Sequence, residues 1–132
     1  MEFIKSKILK HPNLKHAFCL RSGGVSPHPY KSLNCSYYVG DQNINVKKNH
    51  ELILKSLNFE KFFSVKQVHS NKVVCAEDHL SKNTEIEADA IICKSFDLAI
   101  SVTTADCAPL LIFDRKELII GAAHAGWKGA VK

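Results

Sequence analysis

Two side chains with reactive chemistry stand at the ends of short apolar or small-residue runs. Cys107 lies in Thr-Thr-Ala-Asp-Cys-Ala-Pro and His124 in Ala-Ala-His-Ala-Gly-Trp-Lys-Gly. One offers a soft, ionisable sulfur and the other an imidazole, and strand ends are where a sheet delivers such groups into a site. His69, in Lys-Gln-Val-His-Ser, has a similar setting upstream. Two imidazoles and a thiolate can make an open zinc site, with the fourth position left for water or substrate. The three are far apart in sequence, unlike zinc-finger ligands, which come in close pairs. Each also has a plainer reading. A cysteine before a strand can be a core plug, and a histidine at a strand end is often a hydrogen-bonded structural residue.

The neighbours sharpen the picture. Pro109 cannot donate to a sheet ladder, so it suits the start of a strand and leaves Cys107 in the loop just before it. Asp106 could cap a turn or accept from an imidazole N–H and so orient a ligand. Around His124, Ala122, Ala123, Ala125 and Gly126 permit close backbone approach. Amides at 126–129, with Lys128, would make an anion site at a helix start. Asp89, in Glu-Ala-Asp-Ala-Ile-Ile, reads as structural at a strand start. His11, His16, His28, His50 and His79 lie in polar or loop contexts and receive no role.

Elements must hold these groups in place. Residues 16–20 read as a short strand. Residues 21–36, with two glycines and two prolines, read as a long loop; Val25, Tyr30 and Leu33 argue that it is ordered. Residues 45–57 read as a helix with Asn45 at its N-cap and Asn58 at its exit. Val46, Ile53 and Leu57 share a face, widened by Leu52 and Leu54. Strand periodicity then covers 61–68, 72–76, 88–93, 97–103, 109–113 and 117–123. The last three are apolar enough to be buried on both faces. Residues 126–132 look like the first turn of a helix. The fold class expected is α/β, layered as α+β, with a mixed β-sheet core, flanking helices and the C-terminal part missing. The chain, 1–132, then reads as a single truncated domain. Pro109–Phe113 and Leu118–Ala123 would lack their cover, which predicts poor stability and either self-association or a partner chain supplying the rest.

Composition excludes several classes. The chain has 132 residues, enough for one domain, and 45% of them are hydrophobic. No apolar run approaches the roughly 20 residues of a membrane helix. The start, Met-Glu-Phe-Ile-Lys-Ser-Lys, lacks the apolar stretch of a signal peptide. Cys19, Cys35, Cys75, Cys93 and Cys107 form no close pair, as expected of mostly core cysteines in a reducing cytosol. The reading is a cytoplasmic protein with no membrane segment. The net charge is +5, but no basic run interleaves with aromatics, so a nucleic-acid partner is not supported.

Seven short motifs occur in order: Arg-Ser-Gly-Gly-Val-Ser (21–26), Ser-Leu-Asn (32–34), Val-Gly-Asp (39–41), Gln-Val-His (67–69), Ala-Asp-Ala (88–90), Thr-Ala-Asp-Cys-Ala-Pro (104–109) and His-Ala-Gly-Trp-Lys-Gly (124–129). Together they resemble the laccase-domain family, once called multicopper polyphenol oxidases and now read as purine nucleoside phosphorylases. The resemblance covers the front half of longer family members. It implies zinc on His69, Cys107 and His124, which would serve as catalytic residues too. It also implies phosphorolysis of adenosine and inosine (a transferase activity) and hydrolytic adenosine deamination. Purine nucleoside and phosphate would be the partners, with Arg21 and Lys128 as candidates for holding phosphate. The same donors would also take copper, although a blue-copper or trinuclear centre needs more histidines at close spacing. Two other readings stand beside this one: a zinc-dependent amide hydrolase editing a cell-wall precursor, and an inactive fragment of a split gene. The sequence departs from the family pattern at Lys128, where an arginine is usual, and at His50, where an arginine usually follows Asn49.

Overall fold

The computed structural model describes residues 1–81 and 84–131. The described chain divides into two compact units, residues 1–60 and 61–132. Lys132, the last residue of the turn expected at 126–132, lies outside the described residues.

The first unit holds β1 (Phe3–Ile4), antiparallel to β2 (Phe18–Cys19), and the helix α1 (Asn43–Leu57). The helix starts two residues before the expected 45–57, and its N-cap is Gln42 rather than Asn45. Asn45 donates its side-chain amide to Asp41 instead, at 3.3 Å, and its backbone N–H already belongs to the first turn. The exit is as expected. Asn58 is left-handed (φ 56°), and its N–H reaches the carbonyls of Leu54 and Lys55; a short polar side chain tolerates that conformation. Val46 and Asn49 are fully buried, while the rest of the apolar face is half-buried. Asn49 accepts from Val25 N–H and donates to Ser26 Oγ and to the Ser32 and Asn34 carbonyls. The 21–36 loop is therefore ordered from inside the helix by one amide. His50 takes a place of its own, with Nε2 2.9 Å from the Cys35 carbonyl and its ring edge-on to Tyr37.

The second unit is built on strands. β3 (Lys61–Phe63) pairs in parallel with β6 (Leu98–Ile100). β4 (Val73–Cys75), β5 (Ala90–Cys93), β7 (Ala108–Asp114) and β8 (Ile119–Ala125) form a four-stranded sheet in the order β4-β5-β8-β7. β4 and β5 are parallel and the remaining pairs antiparallel, so the sheet is mixed. A single 3-10 turn, Glu77–His79, follows β4, and α2 (Trp127–Ala130) follows β8. The architecture is α+β. Several strands are shorter than their apolar runs, because regular ladder pairing gives way to isolated backbone bonds at their ends, such as Ser101 N–H to the Phe63 carbonyl and Ala76 N–H to the Ile92 carbonyl. The run 61–68, for example, stops pairing after Phe63 and returns only as a bridge between Lys66 and Glu87.

One face of the sheet supplies Val74, Ile91 and Cys93 to a core completed by Phe63, Ala76, Ala88 and Leu98. Alternate residues point the other way, and there Val73, Ile92, Leu110 and Ile112 stay exposed. β7 is accordingly not buried on both faces. It is an edge strand whose burial alternates residue by residue, as the two-residue period of a strand requires. All five cysteines are free; Cys93 is buried, Cys35, Cys75 and Cys107 are intermediate, and Cys19 is exposed rather than in a core. No helix among the described residues is long and apolar enough to cross a membrane.

Candidate metal centre

His124 is the sixth residue of β8 and pairs across the ladder with Pro109 of β7. The expected strand ended at residue 123; it runs on because the His124 N–H donates to the Asp89 carbonyl at 2.7 Å. Cys107 sits immediately before β7, as Pro109 requires. His69 lies in the segment between β3 and β4. Gln67 fastens that segment to the one carrying Cys107: its amide donates to the Thr103 carbonyl at 2.8 Å and accepts from Thr103 N–H at 2.7 Å.

These elements bring the three residues together. Their ligand atoms all lie within 4.8 Å of one another, and among the described residues they are the group of His, Cys, Asp and Glu that could hold a metal ion. Cys107 Sγ is 3.8 Å from His69 Nε2. The two imidazoles meet edge to face, with centroids 4.7 Å apart and planes at 87°. His124 is buried, Cys107 half-buried and His69 exposed, so the group opens to solvent on one side.

Asp89 underlies both histidines. Its Oδ1 is 2.9 Å from His124 Nδ1 and accepts His69 N–H at 3.0 Å. Its Oδ2 accepts from Val68 N–H, Ser70 N–H and Ser70 Oγ. Burial raises this carboxyl, but the hydrogen bonds, led by that from His124, outweigh it and hold it down to about 2. The residue expected to be merely structural thus does what Asp106 was expected to do. Asp106 is exposed and lies beside the Cys107 sulfur, 3.7 Å away, rather than beside an imidazole. Desolvation and the Asp106 carboxylate both push the Cys107 thiol up, the direction a bound cation would reverse.

The glycines act by their lack of a side chain. A Cβ on Gly126 would sit 2.5 Å from His69 Cδ2, and one on Gly129 would overlap the Ser70 carbonyl. Backbone and the two imidazole rings pack in direct contact there, which explains the glycine at 126. The amides behave less simply than expected. Gly129 and Ala130 N–H both close onto the Gly126 carbonyl within α2, so the Gly129 amide is not available to an anion. Lys128 is exposed, its Nζ 5.6 Å from the centroid of the Trp127 ring. Arg21 lies in the first unit and donates Nε and Nη2 to the Lys31 carbonyl.

Residues 15–132 match the family described as multi-copper polyphenol oxidoreductase laccase. The chain belongs to that family. Among curated relatives of this laccase-like chain, a protein of Deinococcus radiodurans named purine nucleoside phosphorylase is 39% identical over 94% of the chain and 49% of its own length. A protein of Bacillus subtilis with the same name is 35% identical over 87% of the chain and 45% of its own length. A solved structure from Neisseria meningitidis superposes with TM-score 0.87 at 35% identity, covering 96% of the chain and 51% of that structure. The laccase-like chain spans about half the length of the curated relatives it matches.

Of the residues around the centre, Asp89 was read as structural and Gln67 was given no role of its own. The available signals were an acid flanked by alanines at the start of an apolar run, and a glutamine two residues before His69.

Proposed function

We propose that the chain carries the metal-binding part of a zinc-dependent purine nucleoside phosphorylase that also deaminates adenosine. The observation that carries this is the convergence of His69, Cys107 and His124, in a chain whose curated relatives bear the name purine nucleoside phosphorylase. The donor set fits zinc. Nitrogen and sulfur ligands on a tetrahedral zinc lie about 3.6 Å apart, close to the 3.8 Å between His69 Nε2 and Cys107 Sγ. Two imidazoles and one thiolate leave a position open, which favours a catalytic over a purely structural centre.

His69, Cys107 and His124 would hold the ion, which supplies Lewis acidity and makes water nucleophilic near neutral pH. The chain's own groups do the rest. Buried His124 and half-buried Cys107 exclude water from one side of the centre, while exposed His69 leaves the other side to substrate. In phosphorolysis a phosphate oxygen attacks C1′ of the ribose, the glycosidic C–N bond breaks, and base and ribose 1-phosphate leave. Lys128 and, in the first unit, Arg21 are the proposed phosphate-binding cations. Deamination adds water at C6 of adenine and releases ammonia, giving inosine. Cytoplasmic residence belongs to the same reading.

The test is an assay of zinc-loaded protein on inosine with phosphate and on adenosine with and without it. Ribose 1-phosphate from both nucleosides, ammonia from adenosine, and loss of both products in His69→Ala and His124→Ala are expected. Turnover that survives either substitution would place the chemistry elsewhere. Turnover of a cell-wall peptide amide instead of nucleosides would favour the amide-hydrolase reading.

A further inference from the structure

We propose that Asp89 is the positioning residue of the metal centre: one carboxylate sets the tautomer of His124 and the backbone of His69 together, and so decides how tightly the three ligands take a metal ion. The proposal rests on the metal-centre reading above. A carboxylate can only accept hydrogen bonds. Oδ1, 2.9 Å from His124 Nδ1, therefore requires the proton on Nδ1 and leaves the Nε2 lone pair for a metal. The same oxygen accepts the N–H of His69. His69 has φ of 58°, in the left-handed region that non-glycine residues seldom adopt. What holds it is the row of N–H groups at 68, 69 and 70, all turned onto one carboxylate.

The aspartate is itself fixed. Its backbone N–H donates to the Lys72 carbonyl, and its carbonyl accepts His124 N–H. At 2% exposure its oxygens have no water to turn to. Each donor on the carboxylate therefore constrains the others. Asparagine, of the same shape, cannot serve both oxygens. If its NH2 faces His124, the ring prefers the Nε2–H tautomer, which cannot ligate. If it faces Ser70 and Val68, the turn that presents His69 loses its acceptors.

Two measurements test this. Long-range proton–nitrogen NMR correlation on the metal-free wild type reads the tautomer directly; Nδ1–H at His124 is expected, and Nε2–H, or exchange between the two, would overturn the proposal. Cobalt(II) titration, followed by the thiolate charge-transfer band and normalised to the folded fraction by circular dichroism, compares wild type with Asp89→Asn and Ser70→Ala. Loss of a partner that orients a ligand lowers affinity roughly 10- to 100-fold, and that loss, with an altered ligand-field spectrum, is expected in Asp89→Asn. Ser70→Ala removes one of the three donors to Oδ2 and leaves both contacts of Oδ1, so its loss of affinity should be smaller than that of Asp89→Asn, and an equal or larger loss would overturn the proposal. Wild-type affinity and spectrum in Asp89→Asn would overturn the proposal alone. No cobalt binding by the wild type would overturn the metal-centre reading, and this proposal with it. Should Asp89→Asn fail to fold, the tautomer decides.

Discussion

Strand β5 has a carboxylate at each end, and the two are used in opposite ways. Asp89 precedes it and gathers N–H groups, including that of an imidazole. Glu77 accepts from the residues at its exit, Lys94 N–H, Ser95 N–H and Ser95 Oγ, and also from the thiols of Cys75 and Cys93. For both, burial raises the carboxyl and the converging hydrogen bonds win, bringing it well below the usual range. The difference lies in what the donor has left over. An imidazole that gives Nδ1–H to a carboxylate keeps a lone pair on its far nitrogen and becomes a better ligand. A thiol that donates to a carboxylate is held in its protonated form, whereas the thiolate is the form that binds metal. The Glu77 carboxylate, joined by desolvation, raises Cys75, while burial, with Glu77 adding to it, pushes Cys93 up to about 11. Two cysteines beside a carboxylate thus resemble a metal site and are a closed hydrogen-bond cluster.

The sharpest break between the two ends should come from the cysteines. Cys107→Ser is expected to abolish metal binding, whereas Cys75→Ser and Cys93→Ser should keep wild-type stoichiometry in elemental analysis of purified protein. Metal loss from either of the latter would mean that the Glu77 cluster is the true centre.

Glu77→Gln comes next. Its remaining oxygen can still accept from Lys94, Ser95 and Cys93, but the amide N–H faces the Cys75 thiol and the charge on these part-buried bonds is lost, at about 1–3 kcal/mol, so urea melts should show a loss of stability. Cobalt affinity per folded molecule should not move. A parallel fall in affinity would erase the distinction drawn between the two carboxylates.

Gly126→Ala reverses that pattern. Its Cβ would press on the His69 ring, and overpacking typically costs about 1–3 kcal/mol. Here the cost falls on the geometry of the centre, so competition with a chelator should show weakened binding while the fold persists.

The pH dependence is gentler and its sign is set by the ligands. The Cys107 thiol is raised, so a metal must displace its proton. Apparent affinity should climb roughly tenfold per pH unit until the thiol ionises, and a pH-independent isotherm would argue against thiolate ligation. Asp89 adds an acid limit to the metal-free fold. Its folded value of about 2 lies below the ordinary 3.8, so its contribution is present above the ordinary value and is lost as pH falls through about 2. That contribution amounts to roughly 2 kcal/mol, and acid melts of wild type against Asp89→Asn would reveal it.

The residues that converge at the candidate centre were legible because type and position agreed: a cysteine before Pro109, a histidine closing an apolar run among alanines. The helix exit at Asn58 and the mixed sheet were legible for similar local reasons. What was not legible depends on pairs distant in sequence. Nothing near Asp89 says that it faces His124 rather than solvent, and Asp106, adjacent to a ligand, looked the better orienter. Asn49 reads as one more polar residue on a helix until the 21–36 loop folds back onto it. The ends at 68, 72 and 103 were overextended because hydrophobic runs ignore side chains, such as Gln67 and Ser70, that claim backbone partners there.

His69 sets the chain against itself. Holding a non-glycine residue at φ of 58° costs about 1 kcal/mol or more, and glycine takes that backbone without the steric cost. His69→Gly should therefore melt at a higher temperature than the metal-free wild type while losing the centre. A lineage that stopped needing the metal would gain from the change at once, without any compensating step. A histidine kept at this position, across genomes under mutation pressure, would be a record of continued use, written where neutral drift has a downhill path away.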